Sequence, residues 1–309
     1  MSLAPVALFV YSRPAHTRQT VEALLANTLA GETPLYVFSD APKSAAASSA
    51  VAEVRAYIRT IVGFKSVTII ERETNFGLAR SIIDGVTGLC EKHGRVIVVE
   101  DDLITSPHFF SYMNDGLTRY EHEDRVMQIA GYMFPMELEI LEDALFLPFI
   151  TSWGWATWSR AWQHFDAEAR GYQTLAKDRG LRERFDLGGH YRYFKMLQAQ
   201  QEGKVDSWAI RWYLSVFLLD GLALWPKTTM VRNLGFDGSG VNCAVSKFED
   251  SPLDINFRVL AMPQHVEVST AYASVLDHFP VPTLSISSLV NRLLHHLKQS
   301  PLSRYMRVL

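Results

Sequence analysis

Cysteine is scarce. The chain has 309 residues and two cysteines, Cys90 and Cys243, too few and too widely spaced for a disulfide framework or a zinc cluster. A reducing compartment, the cytoplasm, is the simpler expectation. Positive charge is also short: the formal net charge is -3 at pH 7, so a nucleic-acid partner, whose phosphates must be neutralised, is not expected. The first apolar run, Val6 to Tyr11, is too short to span a bilayer and follows no basic residue, so neither a signal peptide nor an anchor is expected there. Internal repeats are lacking, and only Ser44 to Ala50 is low in complexity. At 48% hydrophobic and 20% charged residues, disorder does not dominate, and the length suits one large α/β domain or two smaller ones.

What is present centres on Val96 to Leu103, where four β-branched aliphatics run into Glu100, Asp101 and Asp102. A continuous Val/Ile run is the pattern of a strand covered on both faces, as in parallel sheets flanked by helices. Ligands of such sheets bind beyond the carboxyl ends of the strands. Three adjacent carboxylates repel one another unless a cation sits among them, and hard oxygen ligands suit Mg2+ or Mn2+ bridging a substrate diphosphate. The competing reading is a solvated acidic loop.

Around this strand, apolar runs and helical periodicity alternate. Strands are expected at Pro5 to Tyr11, Leu35 to Phe38 and Val67 to Ile70, with helices at Thr17 to Leu29, Ala50 to Val62 and Asn75 to Cys90. Four strands alternating with helices in the first hundred residues predict a mostly parallel α/β sheet with right-handed crossovers. Asp40 ends the second strand, where an acid either takes a nucleobase or ribose group or opens the turn before Pro42. Asn75 is a candidate helix cap, Gly77 permits close backbone approach, and Arg80, one turn in, is within reach of a phosphate.

Further on, four of the seven tryptophans fall between Trp153 and Trp162. Indole faces pack well on sugars, so Trp153 and Trp155 read as a pocket wall, with a plain aromatic core as the alternative. Asp206 precedes Trp208 at the start of a long apolar helix, either as an N-cap or as a base presented at the helix end. Leu222 to Trp225 and Thr229 to Val231 read as a hairpin. The glycine-rich stretch from Arg232 to Asn242, which includes Asp237, has the composition of a ligand lid. At the tail, residues 285–298 carry Ile286, Leu289, Val290, Leu293, Leu294 and Leu297 at helical spacing among basic residues. That pattern fits a helix packed on the domain or a peripheral contact with an anionic membrane face.

Taken together, Val-Val-Glu-Asp-Asp-Leu followed by Pro107, Phe109 and Phe110, with the strand pattern before it, resembles the GT-A glycosyltransferases. Around the acidic triplet it is most similar to N-acetylglucosaminyltransferase I and to bacterial family 2-like sugar transferases. The resemblance covers roughly residues 4–245 and implies a GT-A, Rossmann-like fold. The catalytic domain would be 1–245, with 1–104 binding the nucleotide sugar and 105–245 the acceptor, and 246–309 would be a C-terminal helical extension. It further implies that Asp102 binds the metal directly, with Asp101 near the ribose and Glu100 near the donor sugar. Arg13, Asp40, Asn75 and Arg80 would hold the rest of the donor, which the resemblance implies to be UDP-linked. Asp206 would deprotonate a saccharide or lipid-linked acceptor, and Trp153, Trp155, Asp237 and Asn242 would contact sugar. Many such enzymes place a late His near the metal, where this loop ends in Asn242. The implied activity is metal-dependent inverting transfer, to be set against two alternatives: a sugar nucleotidyltransferase, which would open with a glycine-rich phosphate loop that Tyr11-Ser12-Arg13-Pro14 does not provide, and a non-catalytic sugar-binding protein.

Overall fold

The computed structural model describes residues 2–236 and 253–279. The first hundred residues alternate as the sequence predicts: β1 (Val6–Val10), α1 (Pro14–Leu25), β2 (Pro34–Ser39), α2 (Ser48–Ile58), β3 (Ser66–Glu71), α3 (Leu78–His93) and β4 (Arg95–Glu100). Then come β5 (Leu103–Thr105), α4 (Phe109–Arg119), β6 (Val126–Ala130), β7 (Ala144–Leu147), β8 (Trp155–Trp158) and α5 (Ser159–Trp162). The helices α6 (Tyr172–Lys177), α7 (Arg179–Phe185), α8 (Tyr193–Gln201) and α9 (Trp208–Leu218) follow, then β9 (Leu222–Pro226), β10 (Val231–Asn233) and α10 (Tyr272–Leu276).

Eight strands form one sheet in the order β3-β2-β1-β4-β8-β6-β9-β7. The pairs β2–β3, β1–β2, β1–β4 and β6–β9 are parallel, whereas β8 is antiparallel to both β4 and β6, and β7 is antiparallel to β9. Because β4 and β6 both oppose β8, six of the eight strands share one direction, and their carboxyl ends lie along one edge. This is a mixed, mostly parallel α/β sheet flanked by helices, the Rossmann-like arrangement the pattern implied.

The unbroken aliphatic runs explain the interior. All five residues of β1 and Val96 to Val99 of β4 are buried, as expected of strands with helices on both faces. Helix α3 buries Ala79, Ile82, Val86, Leu89 and Cys90 against the sheet, the spacing of one helical face. Helix α1 and the turn after it are tied to the segment that follows β4: the Thr20 hydroxyl donates to the Asp101 carbonyl at 2.8 Å, and Asn27 Nδ2 donates to Thr105 Oγ1 of β5 at 3.0 Å.

Two features differ from the sequence reading. Trp155 to Trp158 is not a loop wall but the central antiparallel strand β8, with Thr157 buried and its hydroxyl bonded to the Met127 carbonyl. Leu222 to Pro226 and Val231 to Asn233 do not pair as a hairpin: β9 lies between β6 and β7, while β10 forms a separate two-stranded sheet with β5. The full burial of β9 accounts for this, since a five-residue apolar run fills the sheet interior rather than an exposed ribbon. The described part of the C-terminal extension, 253–279, packs back on the sheet. Ser269 N donates to the Phe146 carbonyl, Asp143 N donates to the Ala261 carbonyl, and Val259, Val275 and Phe279 join the core. The amphipathic stretch 285–298 lies outside the described residues. Among those described, no helix is long and apolar enough to cross a membrane.

Candidate active site

Strands β2, β1 and β4 are neighbours in the sheet, with Val10 in register with Ser39 and Phe9 with Glu100. The residues that follow them therefore emerge side by side: Asp40 after β2, Tyr11 to Arg13 after β1, and Asp101 and Asp102 after β4. Arg13 immediately precedes α1, whose first residue is Pro14; proline at this position has a preset φ and lacks only a donor that the helix would not use. From there the guanidinium reaches both acids, bonding Asp101 Oδ1 and, at 3.0 Å, Asp102 Oδ2. Tyr11 N adds a bond to Asp101 Oδ2 at 3.4 Å.

The acids are not solvated. Asp101 and Asp102 are 4% and 7% exposed, which excludes the free acidic loop. Burial raises the Asp101 carboxyl above its ordinary range, with Arg13 pulling the other way. Glu100 is pushed up to about 8, first by burial and then by the charges of Asp102 and Asp101, with Arg13 opposing. For Arg13, burial lowers the pKa, but the two aspartates outweigh it and the net shift is upward. The cluster is thus short of positive charge, with one arginine facing three carboxyl groups.

Beyond β10 the chain crosses over this cluster. Leu234 N donates to the Asp102 carbonyl at 2.8 Å, and Gly235 N donates to Asn233 Oδ1 at 2.6 Å. A Cβ on Gly235 would collide with Asp102 Oδ2, so glycine is what lets the backbone pass this close to that oxygen. Among the described residues no group of three or more His, Cys, Asp or Glu side chains is arranged to hold a metal ion. A magnesium-type ion needs no such group, because it typically takes one or two carboxylates, waters and substrate phosphates. Asp102 and Asp101 offer the one or two carboxylates such an ion takes, and both are paired with the Arg13 guanidinium.

Asp40 has a different place from the one the sequence suggested. Its carboxylate accepts from Ala41 N at 2.9 Å, Phe76 N at 2.8 Å, Gly77 N at 2.8 Å and Asn75 Nδ2 at 3.0 Å. A carboxylate offers about four acceptor sites, and all are used within the chain. Asn75 is correspondingly not the cap of α3; it bonds Asp40 and, at 2.6 Å, the Ala41 carbonyl. The residue at the cap is Gly77, with φ of 73° and ψ of 163°, a conformation open to glycine almost alone. Asp40 is the anchor that sets the start of α3. Arg80 is exposed on the first turn of that helix, its guanidinium stacked 3.8 Å from the Phe76 ring centre.

The tryptophans divide. Trp153 is half-buried and meets Tyr132 edge-on at 4.5 Å and Phe236 at 5.5 Å. Since Phe236 follows Gly235, these rings stand beside Asp102. Trp155, by contrast, is fully buried and stacked on Trp208 at 5.0 Å. It faces the core and presents no surface to a sugar, which corrects its assignment as a contact. The place of β8 between β4 and β6 is responsible: all four of its residues are buried, whereas Trp153 precedes the strand.

Asp206 lies just outside α9. The helix is capped by Ser207, whose hydroxyl accepts from Ile210 N, so Asp206 is not the cap. Its side chain is 68% exposed and its Oδ1 accepts from Arg211 Nη2 at 2.7 Å. Asp206 and Arg211 line a groove of about 550 Å3 with Arg80, Ile83, Asp84, Thr87, Gly88 and Glu91 of α3. A larger cavity of about 940 Å3 lies at the opposite end of the sheet, near the start of β9, and contains none of the candidate residues. Asp237 and Asn242 lie outside the described residues. Sequence reading missed Tyr132, and it placed Gly235 in the lid-like loop and Arg211 beside Asp206 without giving either a role. Their signals are faint: a glycine in a glycine-rich loop, a tyrosine after Gly131, and an arginine inside an otherwise apolar helix.

No family model matches the chain, and no curated protein matches it. Among solved structures, the chain is similar to the mannosyltransferase PcManGT from Pyrobaculum calidifontis in complex with GDP-Man and Mn2+. The identity is 12% and the TM-score 0.37, over 50% of this chain and 44% of that one. It is also similar to S. aureus TarS, with 12% identity and a TM-score of 0.36 over 53% of this chain and 30% of that one. For TarS 1-349 the values are 11% and 0.34, over 51% and 47%. The chain thus spans less than half the length of each of these proteins, and at such identity and overlap the likeness assigns no activity.

Proposed function

We propose that the protein is a glycosyltransferase that moves a sugar from a nucleotide-sugar donor, UDP-linked, to a hydroxyl of a saccharide or lipid-linked acceptor, with inversion and with Mn2+ or Mg2+. The observation that carries this reading is the pair of buried carboxylates Asp101 and Asp102, held by the half-buried Arg13 at the carboxyl ends of β1 and β4, with the Gly235 backbone close against Asp102 Oδ2. Ligands of open α/β sheets bind at that edge, and a diphosphate needs cations there. Asp102 and Asp101 would hold the ion, which when bound neutralises charge on the departing nucleoside diphosphate.

The chain's own groups have distinct tasks in this proposal. Arg13, which pairs with both aspartates, would also meet donor phosphate. Glu100 faces the donor sugar, and Asp40 with Asn75 fixes the loop that places Arg80 at the donor. Trp153, backed by Tyr132 and Phe236, supplies an aromatic face for a sugar ring. Asp206 takes the proton of the acceptor hydroxyl; the acceptor oxygen bonds to the anomeric carbon from the face opposite the diphosphate, and the bond to the diphosphate breaks.

The test is turnover with a panel of nucleotide sugars, read as nucleoside diphosphate released with Mn2+ and with chelator. Metal-dependent release that rises on adding a saccharide acceptor is expected. In Asp206→Asn we expect donor binding to persist and transfer to fall by roughly two orders of magnitude or more, the scale of a lost general base. Binding of donor without turnover by the unmodified protein would leave a sugar-binding protein on this fold. Pyrophosphate release from a nucleoside triphosphate and sugar phosphate would identify a nucleotidyltransferase.

A further inference from the structure

We infer that Arg211 is a positioning residue for Asp206, holding one carboxylate oxygen so that the other faces the groove; the inference rests on the assignment of Asp206 as the base. The two side chains differ sharply in exposure: Arg211 is 10% exposed and Asp206 is 68% exposed. A carboxylate so exposed, two residues ahead of α9, samples several rotamers unless something fixes it.

Arg211 is built to fix it. Its guanidinium is held by the backbone on two sides: Nε donates to the Ser207 carbonyl at 3.0 Å, and Nη1 to the Ala167 carbonyl at 3.3 Å. Nη2 then donates to Asp206 Oδ1 at 2.7 Å. The planar fork gives these three bonds a fixed direction, which a lysine ammonium on a flexible stem does not reproduce. Neither backbone bond needs Asp206, and Ser207 already caps the helix. The third bond therefore orients the acid rather than starting the helix, and Oδ2 remains for an acceptor hydroxyl. Around it the groove presents Thr87 with the charged Arg80, Asp84 and Glu91 of α3, and Asp84 is itself paired with Arg72.

The experiment is a double-mutant cycle on acceptor transfer with Asp206→Asn, Arg211→Gln and the two combined. Displacing a catalytic group by about 1 Å costs on the order of a hundredfold. Arg211→Gln is accordingly expected to lower kcat tenfold to a hundredfold, with KM for the donor little changed and partial recovery in Arg211→Lys. In the Asp206→Asn background the Arg211 substitution should cost nothing further, because its effect passes through the acid. A purely structural arginine would lower activity in both backgrounds alike, and that result overturns the inference. Normal transfer by Arg211→Gln while Asp206→Asn is inactive overturns it too, leaving the base assignment standing. Full transfer by Asp206→Asn, or no transfer by the unmodified protein, rejects the base assignment and this inference with it. If Arg211→Gln melts well below the parent, Arg211→Lys carries the cycle. A crystal structure of the folded variant then reads the orientation itself: dispersed Asp206 conformers agree with the inference, and an unmoved side chain rejects it.

Discussion

Asp40 and the paired tryptophans show how little residue type alone decides. An aspartate after a strand of an α/β sheet suits a ribose or base, yet this one has spent its acceptors on Ala41, Asn75, Phe76 and Gly77. Asp40→Ala is expected to destabilise the fold by about 2–4 kcal/mol, because it strands several donors and loosens the start of α3. Urea denaturation measures this; an unchanged midpoint with weakened nucleotide binding would return Asp40 to the donor. Trp153 and Trp155 separate in the opposite manner. Trp155→Ala, which empties a fully buried site, is expected to cost about 3–5 kcal/mol. Trp153→Ala should cost much less and show itself as a raised KM for acceptor. Equal stability losses would place Trp153 in the core as well.

At the scale of elements, the legible parts were those with uniform surroundings. Strands β1 and β4 carry unbroken apolar runs, Val6 to Val10 and Val96 to Val99, and helices α1 and α3 keep one buried face, so their patterns identify them whatever the tertiary context. The alternation through β4 and the acids at its end were readable for the same reason. Strand β8 was not: Trp-Ala-Thr-Trp is short, and only pairing with β4 and β6 makes it a strand. The separation of β9 from β10 was equally hidden, since a turn between two apolar runs reads as a hairpin until their partners are known. Helix α3 also carries Cys90, which is buried, its thiol pushed up to about 12 by burial and then by the Glu91 charge. At pH 8 only about one thiol in ten thousand is then ionised. In a Cys243→Ser protein, iodoacetamide is expected to leave Cys90 unmodified until denaturant opens α3. Rapid alkylation of the native protein would show that α3 opens readily from the sheet.

Over the whole molecule, six strands point their carboxyl ends to one edge, and that edge gathers Arg13, Asp101 and Asp102 under the Gly235 crossing. The acids could be located from sequence because they abut a strand with an unmistakable pattern. The partners of the acids could not: Arg13 is 88 residues from Asp101, and Gly235 meets Asp102 only through the pairing of β10 with β5. The same long-range closure makes Asp102 buried rather than solvated, so Asp102→Asn, which keeps its shape, is a better probe than truncation to alanine. The central claim is a divalent ion and a nucleoside diphosphate held together at this edge, and calorimetric titration of UDP with and without Mn2+ measures it. The protein is expected to bind UDP at least tenfold more tightly with Mn2+, and Asp102→Asn is expected to abolish that gain at an unchanged melting temperature. UDP affinity indifferent to Mn2+, or a gain that survives in Asp102→Asn, would contradict the account.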